Sequence, residues 1–126
     1  MDKVSIAKTA RSPAVEFDFG ANTYSLAGES YPEDVSAFYG PLVDKIKGHL
    51  AGQKGAKVAF RFQFDYFNSS SSKVVMELFE ILDGAAAKGN TVKITWAYQE
   101  DDDNLLELGQ EFAEELKKAE FALETL

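Results

Sequence analysis

Four consecutive hydroxyls, Ser69-Ser70-Ser71-Ser72, follow Asn68 and precede Lys73, at the point where an alternating apolar run gives way to a helical pattern. A helix that starts there leaves its first N–H groups without carbonyl partners and points the positive end of its dipole at the serines, so the backbone itself favours an anion. A phosphate esterified to one of these hydroxyls would bring about −1.5 to −2 charges and three acceptor oxygens to one spot. The chemistry offered by the run is therefore reversible modification, a phosphorylation switch. The plain alternative is a helix cap in a solvated loop, for which Asn and Ser are preferred residues. Two capping side chains suffice for that, and five are present.

A second polar cluster, Glu100-Asp101-Asp102-Asp103, precedes another helical pattern. Acids in a first turn complement the helix dipole, which is the simple reading. Asp101, Asp102 and Asp103 are also a weak candidate for magnesium, although the spacing lacks the alternate acids, central glycine and distal glutamate of an EF-hand. A phosphoserine beside this loop would repel it, or reject an acidic partner. His49, the single histidine, falls on a helix face near lysines and reads as an exposed helix residue. Walker, G-x-G-x-x-G, G-x-S-x-G and H-E-x-x-H motifs are all missing, so a serine nucleophile has no base in view and a phosphotransfer enzyme is disfavoured.

The elements that must position these clusters read as follows. Val15, Phe17 and Phe19 alternate with Glu16 and Asp18. After Gly20-Ala21-Asn22, Tyr24 and Leu26 alternate with Thr23 and Ser25, a β-hairpin pattern. Ser30, Pro32 and Glu33 have capping-box spacing and start a helix whose stripe is Val35, Phe38, Tyr39, Leu42, Val43, Ile46 and Leu50. Gly40-Pro41 should kink or split it. Val58, Phe60, Phe62, Phe64 and Tyr66 share one strand face, with Lys57, Arg61, Gln63 and Asp65 opposite. The helix after the serines carries Val74, Val75, Leu78, Phe79, Ile81 and Leu82 and stops at Lys88-Gly89-Asn90. Val92, Ile94, Trp96 and Tyr98 form the next strand, Leu105, Leu108, Phe112 and Leu116 a third helix, and Phe121-Ala122-Leu123 a short edge strand.

Clean alternation in the strands leaves one sheet face open to water, so the helices belong on the other. The expectation is an α/β two-layer fold: a mixed sheet of four to five strands with the helices packed on one face. Right-handed crossovers then place the serine run and the acidic loop side by side at the carboxyl ends of strands, where ligands and partners usually dock. With 126 residues and 45% apolar content, residues 1–126 suit a single domain. A net charge of −8 disfavours nucleic acid and anionic membrane surfaces, and points to protein partners. No apolar run is long enough to span a bilayer, there is no cysteine, and the N-terminal residues lack the order of a signal peptide, so a cytoplasmic location is expected.

Several segments together carry a family resemblance: Ser12-Pro13-Ala14-Val15-Glu16-Phe17-Asp18, Gly28-Glu29-Ser30-Tyr31-Pro32-Glu33, Phe38-Tyr39-Gly40-Pro41-Leu42, Tyr66 through Lys73, Trp96 through Asp102, and Glu107-Leu108-Gly109. The chain resembles the SiaC-type regulatory phosphoproteins of bacteria over nearly its whole length. The Tyr-Phe-Asn-hydroxyl-Ser-Ser-Ser-Lys run is the most specific element. The resemblance implies a fold like that of the anti-anti-sigma (STAS-like) domains. It also implies a partner-switching role, in which a dedicated Ser/Thr kinase phosphorylates the protein, a PP2C-type phosphatase reverses this, and the unmodified form activates a diguanylate cyclase. The family's acceptor is the hydroxyl directly after the asparagine, usually threonine, which corresponds to Ser69 here, with Ser70, Ser71 and Ser72 as substitutes.

The expected function is thus a non-enzymatic switch with no cofactor. The partner surface comprises Tyr66, Phe67, Asn68, Ser69, Ser70, Ser71, Ser72, Lys73, Glu100, Asp101 and Asp102. The alternative is a small-ligand module, holding phosphate or a nucleotide at the Ser69–Ser72 helix start and magnesium at Asp101–Asp103.

Overall fold

The computed structural model describes residues 3–126. Strands β1 (Lys3–Ile6), β2 (Ala14–Asp18) and β3 (Thr23–Ser30) form an antiparallel meander. Helix α1 (Val35–Ala51) then leads to β4 (Lys57–Phe67), α2 (Ser69–Ala87) to β5 (Thr91–Tyr98), and α3 (Asp103–Ala113) to β6 (Glu120–Thr125), each strand pairing parallel to the one before. The six strands lie in the sheet in chain order. This is the expected mixed sheet with three helices, but six strands replace the four to five expected. The unforeseen strand is β1, four residues too short to show a period.

One sheet face carries Val15, Phe17, Tyr24, Leu26, Phe60, Phe62, Ile94 and Trp96, all buried with Ile46 of α1, Leu78, Phe79 and Leu82 of α2, and Leu105 and Phe112 of α3. The other face is polar and solvated; Arg61 of β4 reaches across β5 to Glu124 of β6 at 2.7 Å. The alternation that suggested a one-sided sheet therefore reports the real asymmetry.

Two sequence expectations change at α1. The first helix is capped by Asp34, whose side chain accepts the Ala37 N–H, and not by Ser30, which is the buried last residue of β3. Pro41 neither ends nor splits α1, which runs unbroken from Val35 to Ala51. Pro41 sits in the second turn, where it removes a single i→i−4 hydrogen bond while Leu42, Val43 and Ile46 hold the helix on the core.

A third change, in β4, matters more for function. Gly28 pairs with Phe64, but Glu29 pairs with Tyr66, so Asp65 is an extra residue in β4 and forms a β-bulge. Gly28 has φ +119°, a conformation that side chains rarely adopt. Past the bulge the parity inverts: Phe67 turns into the core and Tyr66, expected inside, is 51% exposed.

Candidate phosphoswitch surface

The serines do not form a loop. Asn68 is the N-cap of α2, in extended conformation with φ −88° and ψ 176°, and Ser69 through Ser72 make up the first helical turn. Asn68 Oδ1 accepts the Ser71 N–H at 2.9 Å, the Asn68 carbonyl accepts the Ser72 N–H at 2.9 Å, and the Asn68 N–H donates to the Ser30 carbonyl at 3.1 Å. Two of the helix's orphan donors are thereby satisfied. The N–H groups of Ser69 and Ser70 find no acceptor among the described residues.

The four hydroxyls have different fates because a helix turns 100° per residue. Ser69 and Ser70 are exposed, Ser72 is half-buried, and Ser71 is wholly buried. Ser71 is therefore withdrawn both as a substitute acceptor and as a partner contact. Its Oγ accepts a hydrogen bond from Ser30 Oγ at 2.9 Å, and Ser30 Oγ is bonded in turn to the Tyr39 hydroxyl. Since Ser30 has one hydroxyl hydrogen and gives it to Ser71, Tyr39 must donate. Burial, slightly offset by the bond to Ser30, pushes the Tyr39 hydroxyl up to about 12, so it keeps its proton at neutral pH. A buried hydroxyl relay thus fixes the start of α2 against β3 and α1.

Lys73 is exposed, four residues after Ser69 on the same helix face, within i,i+4 reach of any charge placed on Ser69. Tyr66 joins this surface, its ring 5.8 Å edge-on from that of Tyr31, which in turn lies 5.5 Å from the Arg11 guanidinium. Arg11, Tyr31 and the relay residues Ser30 and Tyr39 were missed from sequence, because strand register and the bulge bring them here. Phe67 leaves the partner surface: it is buried, with its ring 6.1 Å from both Trp96 and Phe112.

The acidic loop follows β5, the strand beside β4, so both clusters lie at the carboxyl ends of adjacent parallel strands as the topology required. Glu100 and Asp101 are exposed. Asp102 is the N-cap of α3, its Oδ1 accepting the Leu105 N–H at 3.0 Å, and the Leu105 carbonyl accepts the Trp96 indole N–H at 2.9 Å. Among the described residues no group of three or more histidine, aspartate or glutamate side chains converges to hold a metal, and of the three aspartates Asp102 is engaged as the cap of α3. His49 is also corrected, from exposed to half-buried. Its Nε2 lies 2.9 Å from Asn22 Oδ1, and its ring packs edge-on against Phe19.

This geometry is an exposed hydroxyl on a rigid helix start, flanked by free N–H groups and a lysine, with no acid or base among the described residues hydrogen-bonded to it. It suits modification by another enzyme. The SiaC family, described as regulatory phosphoproteins, matches residues 6–126. The chain belongs to the SiaC family. A curated protein of Pseudomonas aeruginosa strain UCBPP-PA14 is 32% identical over 116 residues, covering 91% of this chain and 90% of its own. The crystal structure of apo-SiaC from Pseudomonas aeruginosa superposes with a TM-score of 0.88 at 30% identity, covering 99% of this chain and 100% of that one. SiaC in the crystal structure of the diguanylate cyclase SiaD with its activator SiaC, also from Pseudomonas aeruginosa, matches with a TM-score of 0.90 at 28% identity over 98% of this chain and 99% of that one. Membership of the SiaC family makes this chain a regulatory protein. Among the described residues no helix is long and apolar enough to cross a membrane.

Proposed function

We propose that this chain is a cytoplasmic phosphoswitch that activates a diguanylate cyclase when unmodified and releases it when phosphorylated on Ser69. The observation that carries the reading is the position of Ser69: exposed, first in α2, next to unpaired N–H groups and one turn before Lys73. A dianion there is stabilised by the helix terminus and by Lys73, so the modified state is a comfortable one for the fold. Its effect falls on what docks, because a surface otherwise built of neutral hydroxyls turns negative. The complex named for SiaD and SiaC supports a cyclase as effector. A dedicated Ser/Thr kinase and a PP2C-type phosphatase supply and remove the phosphate, and cyclic di-GMP signalling is the output.

Incubation with the cognate kinase and ATP, followed by peptide mass spectrometry, should place one phosphate on Ser69, and Ser69→Ala should take up none. The phosphoprotein should bind the cyclase at least about tenfold more weakly, a loss of about 1.4 kcal/mol. Modification anywhere other than Ser69, Ser70 or Ser72, or a phosphoprotein that binds as tightly as the unmodified one, refutes the switch.

A further inference from the structure

Helices α2 and α3 do not close on each other along their length. Between them runs a groove of about 570 Å³ that ends at Ser72 on one side and Gly84 on the other. Its floor is Phe79, Phe112 and Leu108, and Met76, 44% exposed, stands at its edge. The twelve-residue span from Ser72 to Gly84 corresponds to about 18 Å of helix axis. At the Gly84 end a side chain would meet nothing within 4 Å, leaving room for a second backbone to approach.

The rim is mostly acidic. Glu80, Asp83, Glu111 and Glu115 line the groove, with Lys117 the single basic residue of the lining. Residues 100–115, which include all of α3, hold eight acids and no lysine or arginine. An apolar floor with a flexible methionine and an acidic border is the complement of an amphipathic helix whose apolar stripe is flanked by lysine or arginine. We infer that the α2–α3 groove is a docking site for a basic amphipathic helix of a protein partner. The groove is distinct from the phosphoacceptor: its preference is for positive charge, and its lining, which starts at Ser72, does not include Ser69. The inference therefore does not depend on which enzyme is the effector.

The probe is a synthetic amphipathic peptide of about four helical turns with leucine at i, i+3, i+4 and i+7 and lysine on both flanks. It is titrated into the isotope-labelled full chain and followed by amide chemical shifts. Shifts should concentrate at Met76, Phe79, Leu108 and Phe112. The same peptide with glutamate for lysine should bind at least about tenfold more weakly at low salt. The exposed double substitution Glu111→Lys with Glu115→Lys should weaken the lysine peptide at least about tenfold, and Ser69→Asp should leave it within about twofold. Scattered or missing shifts, or equal binding of the two peptides, overturn the groove. Such a result leaves the Ser69 switch untouched, because that switch is read by phosphorylation and cyclase binding alone.

Discussion

Ser30 Oγ, at the carboxyl end of β3, donates a hydrogen bond of 2.9 Å to Ser71 Oγ, in the first turn of α2. Forty-one residues separate the two in sequence, and both are fully buried. Ser30 is the middle member of the relay, since it also takes the Tyr39 hydroxyl. Ser30→Ala therefore strands two buried partners and should cost about 1–3 kcal/mol, whereas Ser71→Ala strands one and should cost less. Urea denaturation of both variants and the double mutant measures this, and the pair should be non-additive because the two hydroxyls share a bond.

Asn68 holds the same helix start through its side chain. Asn68→Ala removes the acceptor of the Ser71 N–H and should cost about 1 kcal/mol, while Asn68→Asp keeps an equally good cap and should be nearly neutral in stability. Urea midpoints decide this. Because Asn68→Asp also puts a fixed negative charge one residue before Ser69, its phosphorylation rate should fall while its fold is intact.

Much of this arrangement was legible in the sequence. The order of strands and helices, the open sheet face and the adjacency of the serine and acidic segments follow from alternation and crossover rules acting on residues such as Phe60, Phe62, Ile94 and Trp96. The inward turn of Phe67 and outward turn of Tyr66 were not legible. Two aromatics in succession fit either parity, and the bulge at Asp65 is set by how Gly28 and Glu29 of β3 pair with β4. The burial of Ser71 among four identical side chains depends on the phase of α2, which Asn68 sets as its cap. Ser30 looked like a capping residue because local spacing is blind to the strand that continues through it.

Gly109 faces the indole of Trp96. A Cβ at this position would lie 2.5 Å from the Trp96 ring, so either α3 or the indole has to move. Gly109→Ala should destabilise the protein by about 1–3 kcal/mol as an overpacked site, despite the higher helix propensity of alanine. It should also disturb the hydrogen bond from Trp96 Nε1 to the Leu105 carbonyl. Tryptophan fluorescence and near-ultraviolet circular dichroism should both change; a variant as stable as the parent with an unchanged tryptophan spectrum would contradict the packing.

Asp83 on α2 anchors the link between α3 and β6. Its carboxylate accepts the N–H groups of Lys117, Lys118 and Ala119, with Oδ1 at 3.1, 2.8 and 2.9 Å. Partial burial pushes the carboxyl up, but these three donors and the nearby Lys117 charge outweigh it and hold it below the ordinary 3.8. The folded state thus favours the ionised form more than the unfolded chain does. The stability this contributes is complete above the ordinary carboxylate value and drains away as pH falls through 3.8 and then through the lower folded value. Asp83→Asn keeps an acceptor oxygen but has no proton to gain. It should therefore be less stable than the parent at pH 7, and the gap should narrow below pH 3.8. Urea midpoints of the two proteins compared across that range test the sign: a gap that widens in acid would mean that the three N–H groups do not hold a carboxylate.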